Sequence, residues 1–294
     1  MTKIGIFCAL GGVTNSPETF QIPPRLVTHP EAFKHREDYF AKIQQHIDDG
    51  VQSVLIHRMY GEPVRGDAMD SDSRWALDCS VHHLYDAGSV SHLLRDYSQH
   101  MTKLLVDIAT RNPHVRFDIY IGSFRCITME NLLRLGMGHE WAQRFNYQIE
   151  PIQRILDGGG DARFVFDHAA SYEDHERYAD IIAQLSRRYP GRVVAEAIPL
   201  EGSPLLGMHA IAKETRYDFT RAKHHAALNQ AASVTRWVDG SVDGDSDNDA
   251  ITVLKDCLAN GHDFYVSEAV MNRQSITVRD MAGVADAGRP QGAD

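Results

Sequence analysis

Lys213 closes a short apolar run, His209-Ala210-Ile211-Ala212-Lys213. A lysine at the end of a buried strand is costly to keep charged, so its pKa should fall. A neutral amine attacks a ketone carbonyl and forms a Schiff base. That imine is an electron sink, and it permits carbon–carbon cleavage or dehydration beside the carbonyl. Other chemically capable residues also follow apolar runs. His57, Arg58 and Tyr60 follow the run 51–56, and Arg125 follows 115–121. Asp167 and His168 follow 164–166, Glu196 lies within 193–198, Asp239 follows 233–238, and Glu268 follows 264–266. Glu196 and Tyr60 are candidates to move protons. His57, Arg58 and Arg125 are candidates to grip a carboxylate, an arginine doing so through its bidentate fork. Asp167, His168, Asp239 and Glu268 complete the candidate substrate-binding set. The competing account of each residue is an ion pair at a solvated rim, and for Lys213 a pairing with Glu214 or Glu196.

Other chemistries use the same residues. A glycoside hydrolase needs two carboxyls flanking the scissile bond, and Asp167, Glu196 and Glu268 are available for that. Trp75, Trp141 and Trp237 could stack on a sugar, the competing account of each being a place in the core. A divalent metal could draw on His57, Asp167, His168, Glu196 and Glu268, but the chain has no H-E-x-x-H motif. Asp243, Asp245, Asp247 and Asp249 imitate the start of a calcium loop, yet Asn248 and Leu254 stand where its glycine and bidentate glutamate belong. That stretch reads better as a solvated loop ending in a helix cap. The Schiff-base reading needs no metal and no cofactor. A barrel that binds a small molecule without chemistry is the non-enzymatic alternative.

The elements that must position these residues follow from periodicity. Short apolar runs alternate with segments of helical period, the pattern of a parallel sheet with crossover helices. Strands are expected near 4–10, 51–57, 115–121, 163–167, 193–198, 209–213, 233–238 and 263–267. Eight strands in alternation with helices predict a single (β/α)8 TIM-type barrel over residues 1–280, with a frayed tail over 281–294. A doubly wound open sheet is the alternative fold, weakened by the missing G-x-G-x-x-G after the first strand. Barrel active sites lie at the C-terminal ends of the strands, where the residues above are found. The polar stretch 60–90 after the second strand is too long for a simple connection and is expected to fold over that mouth.

The stretch Ile211-Ala212-Lys213-Glu214-Thr215 resembles the Schiff-base lysine segment of the dihydrodipicolinate synthase/N-acetylneuraminate lyase superfamily. Ile6-Phe7-Cys8-Ala9-Leu10 is similar to its first strand. Gly50-Val51 through Tyr60-Gly61-Glu62 is similar to the segment that carries its substrate-carboxylate site, and Asp239-Gly240 through Gly261 to its last turn and helix. The resemblance spans about residues 3–272 and implies a class I aldolase, lyase or dehydratase acting on a 2-oxo acid through Lys213. The family's paired hydroxyl residues would fall at Met59 and Tyr60, so only Tyr60 keeps a hydroxyl. Its relay tyrosine would fall at Glu196, a different acid. The loop after the second strand is longer than the family's, and few residues remain for its C-terminal helices.

Composition narrows the partners. The chain has 294 residues, 43% hydrophobic and 24% charged, with a net charge of −10. That is the balance of a globular domain with an ample core. The acidic balance disfavours nucleic acid and anionic membrane surfaces. The expected partner is a small-molecule substrate, with a homo-oligomer left open. Four scattered cysteines lack C-x-x-C spacing, so a reducing compartment and a cytoplasmic location are expected. No apolar run reaches the ~18 residues of a membrane span.

Overall fold

The computed structural model describes residues 2–9, 30–57, 102–121, 149–166, 175–196, 205, 207–213, 231–238 and 249–287. Eight parallel strands pair in sequence order and close on themselves. They are β1 (Ile4–Ala9), β2 (Ser53–His57), β3 (Arg116–Ile121), β4 (Asp161–Phe166), β5 (Val193–Glu196), β6 (His209–Lys213), β7 (Val234–Val238) and β8 (Asp263–Ser267). The ring closes where β8 pairs with β1, Tyr265 lying beside Gly5. The fold is therefore a (β/α)8 barrel, and the open-sheet alternative is excluded.

Helices cover the outside. The described ones are α1 (Pro30–Asp48), α2 (102–111), α3 (149–157), α4 (His175–Arg188), α5 (Ala250–Asn260), α6 (Glu268–Gln274) and α7 (Val278–Ala287). Phe40, Ile43 and Ile47 recur at helical spacing along α1 and are buried in the shell that also holds Ile6, Val54, Ile56 and Ile108. Strand residues of one parity face this shell, and residues of the other parity face the barrel interior. Asp249 caps α5 by accepting from the backbone N–H groups of Ile251 and Thr252, and Gly261 ends it in the left-handed region at φ 69°. The last residue of the calcium-like stretch is thus a helix cap, and residues 243–248 lie outside the described residues.

Two sequence expectations need correction. Strand β4 begins at Asp161, two residues before the expected start. Its carboxylate accepts hydrogen bonds from Lys3 at 2.9 Å and from Arg192, and this ties the strand's first residue to its neighbours. The tail expected to fray from 281 is helical through Ala287. Thr277 and Asp280 cap each other reciprocally, the Asp280 carboxylate accepting from the Thr277 N–H at 2.8 Å and the Thr277 hydroxyl from the Asp280 N–H at 3.2 Å. Val278 and Met281 are then buried. The Gly and Ala of this segment hid a helix that buries Val278 and Met281. Among the described residues, no helix is long and apolar enough to cross a membrane.

Candidate functional site

The barrel interior is layered. An apolar belt crosses its middle, built from Phe7, Leu55, Tyr120, Val165, Val194, Ile211, Trp237 and Tyr265, one inward residue from each strand. Phe7 and Trp237 meet with ring centroids 4.4 Å apart. Each strand can add one further inward position beyond this belt, two residues on. On β2, β5, β6 and β8 those positions are His57, Glu196, Lys213 and Ser267. His57, Glu196 and Lys213 each end their strand on the C-terminal side, where barrels carry their sites, while Ser267 Oγ caps α6 by accepting from the Val270 N–H at 3.3 Å. Strands β2 and β6 lie opposite each other in the ring of eight, so His57 and Lys213 occupy opposite walls.

Register refines the relation between Lys213 and Glu196. Glu196 is the partner of Ile211, and Lys213 is the partner of Trp237. Lys213 therefore sits one inward step higher than Glu196, with a Cα separation of about 8 Å from strand rise and spacing. Its lateral neighbour on β7 is an indole.

Glu268 is placed differently from expectation. It is the first residue of α6, one residue past the inward Ser267, and its carboxylate is committed to α1. One oxygen accepts from Lys42 Nζ at 2.9 Å, and the other lies 2.5 Å from His46 Nε2. Burial alone would raise its pKa, but the hydrogen bonds and charges of His46 and Lys42 outweigh this and lower it. Glu268 is thus a clasp between the end of β8 and the first helix. Tyr60, Arg58, Arg125, Asp167, His168 and Asp239 lie outside the described residues, as does the stretch 60–90.

Beneath the apolar belt lies a charged network that sequence reading did not single out. Asp118, 0% exposed, accepts two hydrogen bonds from the fork of Arg163, one of them 2.6 Å from Nε to Oδ1. Tyr265 donates to its Oδ2 at 2.7 Å, and Arg116 Nε lies 3.4 Å from its Oδ1. Arg116 also pairs with Asp263 at 2.7 Å. Burial alone would raise the Asp118 pKa. The charges of Arg163 and Arg116, with the hydrogen bonds from Arg163 and Tyr265, override it and hold the carboxyl well below its usual range. His209 bonds Ser233 Oγ through Nδ1 and lies 2.7 Å from Thr235 Oγ1 through Nε2. Burial, then the Arg163 charge, push its pKa down to about 2, so this imidazole is neutral. The signal for these residues was present: Arg116, Asp118 and Tyr120, like Asp161 and Arg163, alternate with apolar residues. In a barrel whose outer face is covered by helices, such alternation puts polar groups inside. The belt lies between this network and the strand ends. Among the described residues, no cluster of His, Cys, Asp and Glu is placed to hold a metal ion.

No family model matches the chain, and no curated protein matches it. It is similar to several solved structures. Tryptophan synthase subunit alpha from Legionella pneumophila is 8% identical, over 97% of this chain and 93% of that one, with a TM-score of 0.47. The homocysteine methyltransferase MmuM from Escherichia coli, in a metallated form, is 13% identical over 96% of each chain, with a TM-score of 0.45. Dihydropteroate synthase from Anaplasma phagocytophilum is 12% identical over 98% of each chain, with a TM-score of 0.39. The (β/α)8 architecture of this chain rests on its own strand pairing.

Proposed function

We propose that this protein is a barrel enzyme that captures a 2-oxo acid as a Schiff base on Lys213 and acts as a lyase, aldolase or dehydratase. The observation that carries the reading is the place of Lys213: the last residue of β6, in the phase of inward Ile211, beyond that residue of the apolar belt. The amine nitrogen attacks the ketone carbon, and the carbonyl oxygen leaves as water. The protonated imine then takes the electron pair of the breaking C3–C4 bond of a 4-hydroxy-2-oxo acid. The C4 hydroxyl loses its proton to a base, and an aldehyde departs. The enamine is protonated at C3, and one water hydrolyses the imine to free the lysine. Glu196, one inward step lower on β5, is the proton carrier, with Tyr60 as the second candidate. His57 on the opposite wall, with Arg58 or Arg125, would hold the carboxylate. The resemblance to the dihydrodipicolinate synthase/N-acetylneuraminate lyase superfamily supports the same lysine. The chemistry requires no cofactor.

The test is borohydride reduction of the intact protein in the presence of pyruvate, followed by peptide mass analysis. A reduced adduct on Lys213, absent in Lys213→Ala, is the expected result. No adduct with pyruvate or with longer 2-oxo acids would sink the Schiff-base mechanism.

A further inference from the structure

Asn260 and Gly261 are the one Asn-Gly pair in the chain. They stand at the end of α5, just before β8 begins at Asp263. Both are exposed. Position 261 needs a glycine for its left-handed φ of 69° and not for lack of space, since a Cβ there would meet nothing within 4 Å. The same missing side chain leaves the Gly261 backbone nitrogen open to the side chain that precedes it. Three hydrogen bonds hold this turn. Asn260 Nδ2 donates to the Asp256 carbonyl at 2.8 Å. The N–H groups of Gly261 and His262 both donate to the Cys257 carbonyl, that of His262 at 2.9 Å.

We infer that Asn260 is a latent self-modification site: the pair closes to a succinimide when the last turn of α5 opens, and the folded turn guards it. The Gly261 nitrogen gives its proton to solvent base and attacks Asn260 Cγ. A C–N bond forms, Nδ2 leaves as ammonia, and one water then opens the ring at either carbonyl. The products are an aspartate and an isoaspartate, the second carrying the chain through its side-chain carbonyl. In the folded turn, the helical backbone at Asn260 and its bond to Asp256 hold Cγ away from that nitrogen, and the bond to Cys257 keeps the proton in place. Conversion puts a carboxylate at the negative end of the α5 dipole. The isoaspartate also adds a backbone carbon, which moves the His262 N–H off the Cys257 carbonyl. Asp263 follows directly, and its carboxylate accepts from the Lys3 N–H at 2.8 Å and pairs with Arg116 at 2.7 Å. The change therefore loosens the seam where β8 closes on β1. None of this rests on the Schiff-base reading.

The experiment incubates the full-length chain at one mildly alkaline pH, native in one sample and unfolded in guanidinium chloride in the other. Peptide mass analysis reads the conversion of every asparagine, and no variant is needed. In the unfolded sample Asn260 should convert fastest of all. In the native sample it should convert at least about tenfold more slowly, because the hydrogen bonds of the turn must open first. An unfolded-state rate no faster than that of the other asparagines overturns the site. Equal rates at Asn260 in the two samples overturn the guarding. The converted protein, separated on an anion exchanger by its added negative charge, should unfold at a lower urea midpoint than the parent. An unchanged midpoint overturns the link to the seam.

Discussion

The phenol of Tyr265 reaches from β8 to Asp118 of β3, donating a hydrogen bond 2.7 Å long past the strands between them. Three strand junctions separate the two residues around the ring, so this bond spans the interior and does not follow the wall. Arg163 closes the same carboxylate from β4, and Arg116 approaches it from its own strand. The lower half of the barrel is thus stapled by charge where the middle is packed by apolar side chains.

Replacing Arg163 by Met should cost about 3–5 kcal/mol of stability, because Asp118 would stay buried with one arginine fewer. Asp118→Asn in the same background should recover part of that loss by removing the uncompensated charge. Urea unfolding of the two single variants and the double variant measures the coupling, and strictly additive losses would count against a shared network.

Gly5→Ala should destabilise the barrel strongly. A Cβ at Gly5 would come within 2.4 Å of both Ser53 Oγ and Tyr265 Cε1. Overpacking of this kind costs about 1–3 kcal/mol or more, and here the ring that must give way also holds Asp118. Tyr265→Leu should cost less melting temperature in the Gly5→Ala background than in the wild type, since the ring it removes is one of the groups in the clash.

Stability should fall with acid in two stages. The native His209 pKa is about 2, against about 6.5 for an unfolded histidine. The unfolded chain therefore binds more protons as pH drops below about 6.5, and stability is lost from there downward. Asp118, held ionised in the native state, adds a second loss as pH falls through its unfolded value of about 3.9. His209→Gln should flatten the stability slope between about pH 4 and about pH 6.5 while keeping the acid limb. Denaturant midpoints across that range read the slope.

Glu268→Gln should act on stability alone, by no more than about 1 kcal/mol, since its pairs with Lys42 and His46 are partly exposed. The amide keeps its carbonyl acceptor for Lys42. Pyruvate trapping at Lys213 should be unchanged, and a loss of trapping in this variant would return Glu268 to the site.

Much of the fold was legible in the chain itself. Runs such as Val193-Val194-Ala195 and Phe164-Val165-Phe166, spaced by helical segments, specify strands that are buried on both faces. Eight of them in strict alternation with helices specify a closed barrel, and the place of Lys213, Glu196 and His57 at strand ends follows directly. Local sequence determines these features because strand length, period and caps depend on near neighbours. Tertiary structure alone decided the rest. The clasp of Glu268 on Lys42 joins residues 226 apart, and the bond from Tyr265 to Asp118 joins residues 147 apart. The pairing of Lys213 with Trp237, with Glu196 set one step lower, depends on the stagger by which the ring closes. That stagger is a property of all eight strands together, and no single run carries it.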